Sequence, residues 1–292
     1  MIVDAHHHVW DLSVRDQEWI TGEALAPLRR DFTLADLAPL ARAAGVGGTV
    51  LVQTVTVPEE TPELLELARG DGLVAAVVGW TDLARPGVAE ELAWLRALPG
   101  GGKLAGIRHQ VQAEPDPRWL LRPDVSRGLA AVGEAGLVYD LLVLPHQLPA
   151  AVEAARAYPG LVFVLDHLAK PPVAAGRPPG SGGPADGWAA DLRRLAALPN
   201  TVCKLSGLVT EARWDRWRTE NLRPYAQVAL DAFGPGRVMF GSDWPVCLTA
   251  AGYGEVLEAA RELTAGLGPA ERGAVFAGTA ARVYGLEGRA AG

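Results

Sequence analysis

Cysteine is almost absent from this chain. Cys203 and Cys247 are the only two, too few for a disulfide scaffold or a thiolate metal centre, and both read as packing residues in a reducing compartment. Long apolar runs are missing as well: no stretch reaches the roughly 18 residues that mark a membrane-spanning helix, and no basic segment leading into an apolar one opens the chain. The expectation is a soluble, cytoplasmic protein with no membrane contact. Charge of one sign is never concentrated. The 27 Lys and Arg are mixed with 34 Asp and Glu for a net charge of -7, which argues against a nucleic-acid surface. Apolar residues, at 49%, are abundant enough for a sizeable core. A chain of 292 residues allows two small domains or one large α/β barrel, since such barrels run to about 250 residues or more.

The most informative stretch is Asp4-Ala5-His6-His7-His8-Val9-Trp10, which follows the apolar start of a strand. Strand alternation would turn Asp4, His6, His8 and Trp10 to one side and His7 to the other. Two buried imidazoles in one small volume are costly unless a divalent metal, a carboxylate or a substrate meets them. A purification tag and a pair of ordinary core histidines are the plain alternatives; three histidines after Met-Ile-Val-Asp-Ala make a poor tag.

Beyond this point helix-like and strand-like segments alternate. Thr33 is a natural N-cap with Asp36 in the first turn, and glycines at 45, 47 and 48 end that helix. Strands are expected at 49–53, 73–80, 104–107, 136–141, 161–165, 201–205 and 237–241, as short apolar runs buried on both faces. Helices are expected at 61–69, 88–98, 126–135, 148–158, 188–198, 225–233, 255–263 and 270–284. With the first strand that makes eight units and no compositional break, hence one domain over residues 1–292 folded as a (β/α)8 TIM barrel. A doubly wound sheet is the rival, but the place of its Gly-rich turn is taken by His6, His8 and Trp10.

Reactive groups in such barrels lie at the C-terminal ends of the strands. The polar or aromatic residues there are His6 and His8, Gln53, Trp80, Arg108 and His109, Asp140, His167, Lys204 and Asp243. Each alone reads equally well as a loop hydrogen-bonding group, an ion pair or a packed ring. Together, in order on eight strands, they read as a site.

These motifs give the chain its resemblance. It resembles the amidohydrolase superfamily, whose fold is a metallo-dependent-hydrolase-like barrel. Within it, the chain is most similar to the branch of sugar-acid lactonases (fuconolactonase and rhamnonolactonase types) and pyrone dicarboxylate lactonases. The resemblance rests on Asp4-x-His6-x-His8-x-Trp10, Gly106-Ile107-Arg108-His109-Gln110, Leu165-Asp166-His167-Leu168-Ala169-Lys170-Pro171, Lys204-Leu205-Ser206-Gly207-Leu208 and Phe240-Gly241-Ser242-Asp243-Trp244-Pro245. It implies a hydrolase that opens a small lactone, with Asp243 as base to the attacking water and His6, His8, Arg108 and His167 as its catalytic companions. A mononuclear divalent site, zinc foremost, would use His6, His8, His167 and Asp243. The fourth strand offers Arg108 and His109 where the wider superfamily has a bridging ligand, so a binuclear site is not expected; a metal-independent enzyme is the other form that the resemblance to this branch implies. Gln53, Trp80, His109, Asp140 and Lys204 are expected to bind substrate, with Trp10 and Trp244 as stacking faces for a sugar ring. The alternatives are a metal-dependent decarboxylase of a small aromatic or enol acid, and a non-catalytic sugar-acid binding protein. The partner expected is a small lactone, with an oligomer left open. The Gly- and Pro-rich segment 173–187 is expected to be a lid, since unstructured loops longer than about 12 residues are usually functional or disordered.

Overall fold

The computed structural model describes residues 1–286. Eight parallel strands follow one another in sheet order: β1 (Ile2–His7), β2 (Val46–Val52), β3 (Val74–Gly79), β4 (Leu104–His109), β5 (Val138–Leu141), β6 (Phe163–Leu165), β7 (Thr201–Leu205) and β8 (Val238–Phe240). Closure onto β1 runs through the end of β8: Asp243 N–H donates to His6 O at 2.8 Å, and His8 N–H to Trp244 O at 2.7 Å. Between the strands lie α1 (Leu34–Ala43), α2 (Glu60–Gly70), α3 (Val88–Ala97), α4 (Pro123–Glu134), α5 (Leu148–Ala157), α6 (Pro184–Ala196) and α7 (Thr219–Phe233), followed by α8 (Tyr253–Leu263). This is a (β/α)8 barrel.

Local chemistry sets the boundaries. Thr33 and Asp36 exchange hydrogen bonds in a capping box that starts α1, and Pro123 and Pro184 occupy first-turn positions where a missing N–H costs nothing. The second strand begins at Val46, earlier than the apolar run suggests, because Val46 and Gly48 pair with Ile2 and Val3 in the sheet instead of ending α1. The last expected helix is broken into α9 (Pro269–Gly273), a π-helical turn at Ala274–Gly278 and α10 (Thr279–Tyr284). No helix among the described residues is long and apolar enough to cross a membrane.

Two cores follow from the two-residue alternation of the strands. Leu51, Val77, Ile107, Tyr139, Phe163, Cys203 and Phe240 point out toward the helices. Val50, Val52, Ala76, Val78, Val138, Val164, Val202 and Met239 fill the barrel, with Tyr284 among them. Continuing inward by two residues from that apolar layer reaches Arg108, Asp140, Asp166 and Lys204, all buried. Continuing again reaches the mouth of the barrel.

Candidate active site

The buried charges come first, because the mouth rests on them. Lys204 is fully buried; its Nζ donates to Asp140 and lies 3.0 Å from Asp166 Oδ1 and 3.1 Å from His6 Nδ1. Tyr284 donates its hydroxyl to Asp140 at 2.9 Å. Arg108 Nη1 donates to Asp166 Oδ2 at 2.9 Å, and its Nε and Nη2 donate to Gln53 Oε1 at 3.2 and 2.8 Å. Charges without water are tolerable only when paired in this way. Burial pushes the Asp140 carboxyl up to about 6, and the neighbouring Lys204 ammonium opposes it.

Above this layer three imidazoles surround one carboxylate. His6 Nε2, His8 Nε2 and His167 Nε2 lie 3.8, 3.6 and 3.8 Å from Asp243 Oδ1, and the two first-strand ring nitrogens are 3.1 Å apart. His8 Nδ1–H donates to Val52 O at 2.8 Å, since a carbonyl can only accept. That leaves the His8 Nε2 lone pair aimed at the cavity. Burial lowers the pKa of His6, of His8 and of His167, the last to about 4, so all three rings are neutral at pH 7. Burial raises Asp243, but the neighbouring His167, His8 and Lys170 outweigh it and hold the carboxyl below its usual value.

The backbone is bent to deliver these groups. His167, Leu168, Ala169 and Lys170 all have positive φ, between 52° and 58°, and Asp243 has φ 57°. Left-handed backbone costs an L-residue roughly 1–2 kcal/mol, and such strain gathers at functional sites. Two glycines make the close approach possible: a Cβ on Gly207 would meet His167 Nδ1 at 2.6 Å, and one on Gly241 would meet His6 Cβ at 2.8 Å. Asp4 is turned away from the site. It accepts from Ser242 N–H at 2.8 Å and Tyr253 O–H at 3.1 Å, tying β1 to the end of β8. A register shift between Asp4 and His7 breaks the expected common face of Asp4, His6, His8 and Trp10.

The cavity at the mouth, about 110 Å³, is lined by His8, Arg108, His167 and Asp243 and also by Trp19, Thr54, Gln110, Gln112 and Lys170. A larger cavity of about 770 Å³ lies under the first loop between Trp10, Phe32 and α2. Its walls are mainly apolar and it lacks the convergent ring nitrogens, so the smaller cavity is the candidate site.

Several expected substrate contacts lie elsewhere. Trp10 pairs with Phe32 beside the barrel and donates its indole N–H to Arg30 O at 2.8 Å. Trp244 is 1% exposed and meets Phe32 edge-on. Neither ring can stack on a ligand in the mouth. Trp80 and His109 point outward: the indole N–H donates to His109 Nδ1 at 3.0 Å, and His109 stacks on Trp119 and donates from Nε2 to Glu114 at 2.7 Å. Asp140 and Lys204 are sealed beneath the site, and Gln53 is a buried brace for Arg108. The tryptophan at the cavity is Trp19, on an irregular segment with no periodic signal. Thr54, Gln110 and Leu142 are legible in hindsight, being the next inward positions after Val52, Arg108 and Asp140. Segment 173–187 packs against α7, where Tyr225 O–H donates to Arg177 O at 3.2 Å, and none of its residues lines the cavity; its place does not fit a lid.

The donor set suits a divalent metal. His6, His8 and Asp243 form one trio with ligand atoms within 4.8 Å of one another, and His6, Asp166 and His167 form a second. Two nitrogens bound at about 2.0–2.1 Å to one tetrahedral ion would lie about 3.3 Å apart, close to the 3.1 Å between His6 and His8. Imidazole with carboxylate is a set that zinc and its neighbours accept.

A closed barrel with histidines on its first and sixth strands and an aspartate after its eighth defines a class of hydrolase. The amidohydrolase family profile matches residues 3–286, and the chain belongs to that family. It is 45% identical over 97% of its length to an L-fucono-1,5-lactonase of Burkholderia multivorans, of which it covers 96%. A second L-fucono-1,5-lactonase, from Burkholderia ambifaria, is 38% identical over 98% of this chain and 96% of its own. A crystal structure of a Burkholderia multivorans amidohydrolase with bound zinc superposes with a TM-score of 0.89 at 43% identity, covering 98% of this chain and 99% of that one.

Proposed function

We propose that this protein opens small sugar lactones of the L-fucono-1,5-lactone type by attack of water on the ring carbonyl, with Asp243 as the base. One observation carries the reading: a buried carboxylate, held ionised, stands 3.6–3.8 Å from three neutral imidazoles at the wall of a small cavity. Relatives at 45% and 38% identity that bear the lactonase name support the substrate class.

Asp243 would orient the attacking water and take its proton at Oδ1, which its lowered pKa allows at neutral pH. His8 lines the same space with His6 buried against it, and Ser206 Oγ, 2.9 Å from His167 Nδ1, fixes that ring. Arg108 contributes by holding Asp166 and His6 in place, all its donors being spent on protein acceptors. Thr54, Gln110 and Gln112 offer a hydroxyl and two amides for sugar hydroxyls, and Trp19 an aromatic wall. A divalent ion, zinc by analogy with the zinc-bound relative, would be held by His6, His8 and Asp243 with His167 beside them; when bound it lowers the pKa of water to about 7 and polarises the carbonyl.

A colorimetric proton-release assay over aldonolactones, pyrone carboxylates and small aromatic acids, alongside elemental metal analysis, tests the reading. Turnover with one proton released per sugar lactone opened is expected. Carbon dioxide loss from an aromatic acid with inert lactones would replace it with a decarboxylase.

A further inference from the structure

The cavity brings together two cationic side chains in different situations. Arg108 has no donor to spare: its Nε, Nη1 and Nη2 serve Gln53 Oε1, Gln53 O, Asp166 and His6. Lys170 also lines the cavity, yet among the described residues its ammonium has no hydrogen bond or ion pair. The acidic groups that feel its charge are Asp243 and Glu211, neither within ion-pair distance. Its position is built. The left-handed turn 167–170 is pinned by Trp188 Nε1–H donating to Leu168 O at 2.7 Å and by Lys170 N–H donating to His167 O at 2.8 Å. One strained turn therefore presents His167 and Lys170 to the same space.

We propose that Lys170 receives the carboxylate created by ring opening and orients the lactone's carbonyl end before it, which rests on the lactone-opening reading. In that reaction the water oxygen bonds to the carbonyl carbon and the ring C–O bond breaks. The ring oxygen leaves as a hydroxyl with one proton of the water, relayed through Asp243, and the new acid gives the other to solvent. A neutral ring thus becomes an anion beside His167 and Asp243. With Arg108 committed, Lys170 is the cation that meets it. The affinity it supplies grows with negative charge, so it tightens product more than substrate.

The test is calorimetric titration of the enzyme with L-fuconate, the product of opening L-fucono-1,5-lactone, against Lys170→Gln and Lys170→Arg. A charge-assisted hydrogen bond of this kind is worth about a tenfold change in Kd or more. Lys170→Gln should weaken L-fuconate binding by that factor, Lys170→Arg should restore most of it, and the lactone KM should change less than the L-fuconate Kd. Equal binding by wild type and Lys170→Gln, or no binding by wild type, overturns the proposal. Should Lys170→Gln fail to fold, wild-type enzyme treated with acetic anhydride decides: L-fuconate should shield Lys170 from acetylation, and unchanged labelling sinks the idea. Absence of lactone turnover by wild type would overturn the catalytic reading, while the binding measurements still decide whether Lys170 holds a carboxylate.

Discussion

Two polar layers sit in the upper half of this barrel, two residues apart along the strands, and they obey opposite rules. In the lower one every charge faces its opposite: Lys204 meets Asp140 and Asp166, Arg108 meets Asp166, and Tyr284 caps Asp140. In the upper one a bare imidazole nitrogen faces a second ring, a carboxylate sits among neutral histidines, and the Lys170 ammonium has no partner among the described residues. The lower layer is built for permanence and the upper for a visitor. Strained backbone marks the difference too, since positive φ at non-glycine residues is confined to His167–Lys170 and Asp243 among the described residues.

The comparison breaks most directly at Lys204. Lys204→Met keeps the length of the side chain but strands two buried carboxylates, and removing one partner of a buried ion pair costs about 3–5 kcal/mol. Urea denaturation should show a loss of that size; a loss under about 1 kcal/mol would mean that the lower layer is not the foundation described.

Acid should act on the chain through its histidines. His7 and His167 are lowered by burial to about 3 and about 4, against 6.5 when unfolded. As pH falls below 6.5 the unfolded chain takes protons first, so stability drops by up to about 1.4 kcal/mol per pH unit for each until the folded values are reached. Asp4, raised by burial to about 6 from 3.8, works in the opposite sense, gaining its proton in the folded state first and softening the loss below pH 6. Denaturation of metal-free protein at pH 7.5, 6 and 5 should show stability falling throughout, with the steeper slope between pH 6 and 5, where the unfolded histidines are mostly protonated and the folded ones are not. A flat profile would mean charged histidines in the fold.

These outcomes bear on what could be read in advance. The barrel was legible because its apolar runs and helical segments alternate eight times, and the mouth because His6, His8, His167 and Asp243 stand where strands end. The two layers were not separable. Asp140 and Lys204 end apolar runs just as His167 does, and only the stagger of neighbouring strands sinks them below the cavity. Trp19 carries no periodic signal at all, whereas Trp10 carries one that the register shift in β1 cancels.

Smaller effects sharpen the same boundary. His109→Phe removes the hydrogen bonds to Trp80 and Glu114 and should cost about 1 kcal/mol in stability with kcat little changed, because the ring faces the helices. Smallest of all, Trp10→Phe should leave the lactone KM unmoved while Trp19→Ala raises it. The reverse pattern would return the sugar to the face once expected for it.

The central claim, that Asp243 takes the proton of the attacking water, rests on one side chain and can be tested on it. Asp243→Asn preserves size and shape but removes the base, and loss of a general base costs about 10²–10⁴ in rate. Steady-state hydrolysis of L-fucono-1,5-lactone by wild type and Asp243→Asn, each assayed from pH 5 to 9 with metal content determined alongside, is the measurement. The account predicts a fall in kcat of that order for a variant that folds and binds L-fuconate, whereas near wild-type turnover across the range would contradict it and return the base to the histidines.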